Sequence, residues 1–315
     1  MKPFHWAVAA LVLASGVAQA QQFPTKTVRF ISGVTPGSAS DTMARILAEK
    51  LSERLGQSVI VENRLGAGGL VGAKWVATQE PDGHNIMMYA SAYTVSTLLN
   101  PGLDPKELVP VATVATIPTI LITPPGKYKT AKDFVAAAKA NPGKLNCATA
   151  GSGSATHMAL ERFRFSAGFE VQNIHTKGAG DALTEVLSGR ADCYFALVFQ
   201  AQKMKDSGKV DAHLVSGPKR TSLMPDLPTT EEAGYPNSSY NFWVGTLVAA
   251  KTPRPIVDRL AKEINALVQS PEIAERIKKL GADPLTLSTS EFQAMIDREL
   301  RENAELIKKA GIKGN

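Results

Sequence analysis

Apolar positions in this chain follow two rhythms. Short runs such as "TVRFISG", "SVIVENR" and "NIMMYAS" are apolar throughout and read as strands buried on both faces. Longer stretches carry an apolar residue every three or four positions. "SDTMARILAEKLSERLG" sets Met43, Ile46, Leu47, Leu51 and Leu55 on one helical stripe, with Gly56 as its stop. "GLVGAKWVATQE" is the next helix. Strand, small-residue turn and helix thus alternate, which predicts parallel strands joined by right-handed crossovers.

A Pro-rich passage, "LVPVATVATIPTILITPPG", interrupts the alternation and reads as a long extended crossing segment. The alternation then restarts: "KDFVAAAKAN" helix, "LNCATAG" strand, "SATHMALERFRFSAG" helix, "EVQNIHT" strand, "DALTEVLSG" helix, "ADCYFAL" strand. "DAHLVSG" and the loop "PKRTSLMPDLPTTEEAGYP" lead away, "NFWVGTLVAA" is a strand, and the remainder is helical. Phe292, Met295, Ile296, Leu300 and Ile307 mark the stripe of the last helix. Two α/β units joined by two extended crossings describe a bilobed molecule. Lobe 1 is placed at 21–115 plus 221–315, and lobe 2 at 116–220.

The N-terminus changes the compartment. Lys2, the apolar run from Trp6 to Val17 and the small-residue site Ala18-Gln19-Ala20 form a secretory signal peptide, 1–20. Its apolar core is shorter than the about twenty residues of a spanning helix. The mature chain of about 295 residues then begins at Gln21, outside the cytoplasm, and exceeds what one core usually takes. The net charge of +6 is spread along helices rather than gathered with aromatics. That distribution argues against nucleic acid and suits attraction of small anions.

Two bare turns carry the candidate chemistry. Val34 to Ser40, "VTPGSAS", and Ala150 to Ser154, "AGSGS", each lie between a strand and a helix and contain no charged side chain. Such a turn presents unpaired backbone N–H groups at the positive end of a helix, and small residues let an anion approach them. Ligands of open α/β sheets bind at these strand ends. Singly, each also reads as a Ser-capped tight turn; two of them, one per lobe, point to a shared cleft. A third glycine-rich turn, "NRLGAGGLVG", has Val71 where the dinucleotide fingerprint needs glycine.

In order along the chain, "TPGSASD", "ENRLGAGGLVG", "PDGH", "AGSGSATH", "TKGAGDALTEVLSGRAD" and "PDLPTTEEAGYP" resemble the extracytoplasmic receptors of tripartite tricarboxylate transporters, the Bug receptors, from about Phe23 to Gly311. The resemblance implies a type II periplasmic-binding-protein fold, two doubly wound α/β lobes joined by two crossing strands, closing on a small carboxylated solute. It implies a carboxylate held by backbone amides and hydroxyls at Thr35, Gly37, Ser38, Ala39 and Ser40, at Ala67 and Gly68, and at Thr149, Gly151, Ser152, Gly153 and Ser154. Transporter membrane subunits are the implied partner of a monomeric receptor; a receptor feeding a two-component signalling kinase is the alternative. The chain departs from the family pattern at Ser38-Ala39 (for "PGGG"), at His175-Thr176-Lys177-Gly178 (for "PYKG") and at Phe195-Ala196-Leu197 (for "FDN").

Those departures add Thr176, Lys177 and Ala196 to the candidate site. The smaller Thr176 and the uncharged Ala196 leave room for an apolar body, so an aromatic mono- or dicarboxylate is the expected ligand. His157, Asp41, Phe199 and Trp243 read as structural. No catalytic residue, cofactor or metal is expected. Ser152 lacks the flanking glycines of a nucleophile elbow, and the histidines form no H-x-x-x-H pair. Cys147 and Cys193 fall level on adjacent parallel strands, where bridging looks awkward, so two free thiols are expected over a disulfide.

Overall fold

The computed structural model describes residues 23–34, 36–100 and 102–313. The signal-peptide reading of 1–20 and the candidate Thr35 lie outside the described residues. The chain runs β1 (Val28–Ser32), α1 (Ala39–Leu55), β2 (Val59–Asn63), α2 (Leu70–Ala77), β3 (Asn85–Ala90), α3 (Ala92–Leu99) and β4 (Leu108–Thr116). It continues through β5 (Thr119–Thr123), α4 (Ala131–Ala140), β6 (Asn146–Thr149), α5 (Ala155–Ala167), β7 (Gln172–His175), α6 (Ala179–Leu187), β8 (Cys193–Leu197), α7 (Val198–Asp206) and β9 (Asp211–Ser216). It closes with β10 (Trp243–Ala249), α8 (Arg254–Gln269), α9 (Pro271–Lys279), β11 (Asp283–Pro284) and α10 (Thr289–Ala310).

Two sheets result, one per lobe. The first has the order β11-β4-β10-β3-β1-β2 and the second β7-β6-β8-β5-β9. In the first, β1 lies parallel between β2 and β3, and β10 enters antiparallel to β3 and β4. In the second, β6 lies parallel between β7 and β8, and β5 runs antiparallel to β8 and β9. Each sheet is therefore a parallel α/β unit completed by a strand that arrives from the other lobe. The α1 stripe behaves as its spacing predicts: Met43, Ile46, Leu47, Leu51 and Leu55 are all buried in the first core.

The Pro-rich passage is β4 and β5, broken at Ile117-Pro118, so one extended run serves both sheets. The return crossing lies beside it: Ile117 N–H donates to the Phe242 carbonyl at 2.8 Å, and the Thr116 hydroxyl to Asn241 Oδ1 at 2.9 Å. The return therefore lies at Asn241-Phe242, later than the position near 220 expected from pattern. Tyr235 and Tyr240 belong to the second lobe's core, and Thr229 bridges to Val215. α10 joins both cores, with Phe292, Met295 and Ile296 in one and Leu306 in the other. A loop without periodicity and an amphipathic helix give no sign of which lobe covers them.

The expectation of free thiols is overturned. Cys147 and Cys193 are direct register partners on β6 and β8, with Cα atoms 4.6 Å apart, and form a disulfide. Directly paired strand residues point to the same face, and this separation lies within the disulfide range.

Candidate functional site

The first bare turn is held from inside by Asp41. Gly37, at φ 81°, donates its N–H to Asp41 Oδ2 at 2.9 Å. The fully buried carboxylate also accepts from Arg45 Nε at 2.9 Å and from Asn63 Nδ2 at 2.7 Å. Burial pushes this carboxyl up, but the bonds from Arg45, Gly37 and Asn63 and the Arg45 charge outweigh it and hold it below the usual carboxylate value. Ser38 caps α1, accepting the Asp41 N–H at 3.4 Å. The Ser40 hydroxyl makes no hydrogen bond among the described residues.

The glycine-rich turn lies against the first. An added Cβ on Gly33 would stand 2.5 Å from the Gly69 Cα, so the two turns touch backbone to backbone. Ala67 and Gly68 adopt left-handed φ of 47° and 65° and are exposed. The Gly68 carbonyl accepts from the Tyr89 hydroxyl at 2.8 Å, and its Cα faces Ser96 of α3.

In the second lobe the turn is built in the same way. Gly153 (φ 70°) donates its N–H to His157 Nδ1 at 3.0 Å, and Ser154 caps α5, accepting the His157 N–H at 3.2 Å. Gly37-Ser38-Ala39-Ser40-Asp41 and Gly153-Ser154-Ala155-Thr156-His157 are one motif in two copies. Their capping serines have φ/ψ of −66°/162° and −66°/161°. The duplicate is visible in the sequence as G-S-A-[ST]-x, a signal that reading the turns as merely small and uncharged passes over. Thr156 Oγ1 accepts the Ala150 amide at 2.9 Å, whereas the amides of half-buried Gly151 and Ser152 have no partner among the described residues. The Ser152 hydroxyl donates to the Lys313 carbonyl at 3.3 Å.

Other candidates are committed internally. The buried Thr149 hydroxyl pairs with His175 Nδ1 at 2.7 Å, and the Thr149 carbonyl accepts both the N–H and the hydroxyl of Thr176, at 3.0 and 2.9 Å. Ala196 is fully buried in one apolar cluster with Ile120, Ala148 and Tyr194, a core position rather than a cleft wall. Lys177 is exposed and makes no ion pair among the described residues. Trp243 is core, its indole N–H donating to Glu299. Phe199, 40% exposed, lies against Gly281 of the first lobe.

The lobes meet at the second-lobe turn through α3. An added Cβ on Gly153 would stand 3.1 Å from Leu99 Cδ1 and 3.2 Å from Val95 Cγ1. α3 thus touches the glycine-rich turn with Ser96 and the second-lobe turn with Val95 and Leu99. A separate groove of about 1040 Å³ opens between α5 and α10, lined by Arg162, Tyr240, Glu299 and Glu302 among others, and contains none of the candidate residues.

Comparison with known proteins shows the family. The family model described as tripartite tricarboxylate transporter family receptor matches residues 43–312. A UPF0065 protein of Pseudomonas sp. (strain P51) is 32% identical over 86% of this chain and 83% of its own length. The structure of periplasmic binding protein BugD superposes with a TM-score of 0.74 at 32% identity, over 92% of this chain and 99% of that one. MatC from Rhodopseudomonas palustris with bound malate gives 0.75 at 26% identity, over 90% and 100%. A bilobed chain with one copy of an amide-bearing turn in each lobe, matched by this model over most of its length, belongs to the tripartite tricarboxylate transporter receptor family.

Proposed function

We propose that this protein captures a small organic carboxylate in the periplasm and presents it to the membrane subunits of a tripartite tricarboxylate-type transporter. The observation that carries the reading is the duplicated turn. Each lobe offers a strand-to-helix corner with a serine cap, and in the second-lobe corner the Gly151 and Ser152 amides have no partner among the described residues at the positive end of α5. Malate in the related MatC belongs to the same chemical class.

Thr176 is tied to Thr149 and Ala196 is core, so neither favours an aromatic ring over an aliphatic body. The ligand class we put forward is therefore a small organic carboxylate, aliphatic or aromatic. Calorimetry with malate, citrate, adipate, aspartate, benzoate, phthalate and terephthalate tests it. Binding of at least one of these acids, abolished by Gly153→Val in a protein that still folds, is the expected result. No heat from any of them, alongside tight binding of an uncharged solute, would remove the reading.

A further inference from the structure

The two copies of the turn differ in the residue that anchors them. Asp41 brings a negative charge to the Gly37 amide; in the second lobe the same amide is accepted by the imidazole of His157. A backbone N–H can only donate, so His157 Nδ1 is an acceptor. Nε2 lies 3.2 Å from Asn173 Nδ2 and 3.6 Å from Glu161 Oε1, and His157 is only 2% exposed. Glu161 is fully buried and fixed in turn by Arg164 Nε at 2.7 Å and Asn173 Nδ2 at 2.8 Å. Burial pushes the Glu161 carboxyl up, yet its contacts with His157 and Asn173 and the Arg164 charge hold it below the usual value, so it stays anionic beside the ring. The His175 ring stacks edge-on against His157 at 4.6 Å and limits its rotation.

We propose that His157 is a positioning residue for the solute's carboxylate: its Nδ1 holds the Gly153 amide inward, which leaves Gly151 and Ser152 as the amides that face the anion. An imidazole nitrogen does this without setting a like charge beside the incoming carboxylate, which is what a carboxylate anchor would do in that place. The carboxylate itself rests on the receptor reading above; the tautomer and the turn conformation do not.

Two measurements decide the matter. Histidine nitrogen NMR of the ligand-free protein at neutral pH reads the tautomer, and an unprotonated Nδ1 with a scalar coupling to the Gly153 amide is expected. A protonated Nδ1 overturns the proposal. Calorimetry with the tightest-binding acid of the panel then compares His157→Asn, which keeps a side-chain acceptor four residues after the glycine, the position Asp41 holds in the first lobe, with His157→Leu, which has none. The asparagine variant is expected to bind within a few-fold of wild type and the leucine variant about tenfold or more weaker, the loss of one buried hydrogen bond. Equal affinity of His157→Leu and wild type overturns it. If His157→Leu does not fold, the amide shifts of Gly151 and Ser152 in His157→Asn carry the test: unchanged shifts support the anchor, and displaced shifts with unchanged affinity refute it. If no acid binds the wild type, the receptor reading has failed, and the tautomer still decides whether His157 anchors the turn.

Discussion

Single residues define the corner in the first lobe. Gly33 has no room for a Cβ because the Gly69 backbone, which cannot swing away, stands 2.5 Å from its position. Gly33→Ala should push the two first-lobe turns apart and destabilise the protein by roughly 1–3 kcal/mol; a melting temperature within a degree of wild type would contradict this contact. Asp41 makes a pH-dependent contribution. Its folded value lies below the ordinary one, so its contribution is complete above the ordinary carboxylate range and is lost as pH falls through the lower, folded value. Asp41→Ala should lose about 1–3 kcal/mol at pH 7, because it orphans the Gly37 amide and the Arg45 and Asn63 donors. The difference from wild type should shrink in strong acid, as chemical denaturation across that range will read.

Elements show where sequence patterning stops being informative. The strands and α1 follow from apolar spacing alone, but α3 does not. "AYTVSTLL" is rich in β-branched and aromatic residues, which are poor helix formers, and tertiary contacts set its conformation: Tyr93, Val95 and Thr97 are buried, and the Thr94 hydroxyl reaches Glu299 of α10. The disulfide between β6 and β8 closes a separation of 46 residues. Its removal by Cys147→Ala and Cys193→Ala together should cost on the order of 2–4 kcal/mol, measured as a fall of several degrees in Tm; an unchanged Tm would show that the bridge does not form. On α10, Glu299 is buried between Trp243 Nε1 at 2.9 Å and Thr94 Oγ1 at 3.3 Å, and burial pushes its carboxyl up to about 7 despite those bonds and the nearby Arg162. The folded protein therefore keeps a proton that the unfolded chain releases, and stability falls as pH rises from about 4.5 towards about 7. Glu299→Gln should be more stable than wild type at pH 8, by on the order of 3 kcal/mol, and nearly equal at pH 4.5. Parallel pH–stability curves for the two proteins would refute this account.

At the scale of the whole molecule, two lobes joined by paired crossings at Ile117 and Phe242 suit a hinge. An acid that binds both lobes should lower the radius of gyration in solution scattering and, at a hundred times its dissociation constant, stabilise the fold by about 2.7 kcal/mol. Stabilisation with no change in scattering would place the ligand on one lobe only.

Sequence alone determined the alternation of strands and helices, the two α/β units, the positions of the bare turns and the family resemblance. Each of these depends on local spacing: apolar periodicity, small residues at strand ends, and a motif order that needs no contact map. Tertiary structure decided what depends on which residues meet. It brought Cys147 level with Cys193, carried 221–240 and the end of α10 into the second lobe's core, folded α3, and turned Ala196 inward. It also decided which backbone amides stay unpartnered, because Asp41 and His157 reach back four residues to claim Gly37 and Gly153. A small-residue turn in a sequence shows that an anion can approach, but only the side chains folded behind it decide which N–H groups remain to receive one.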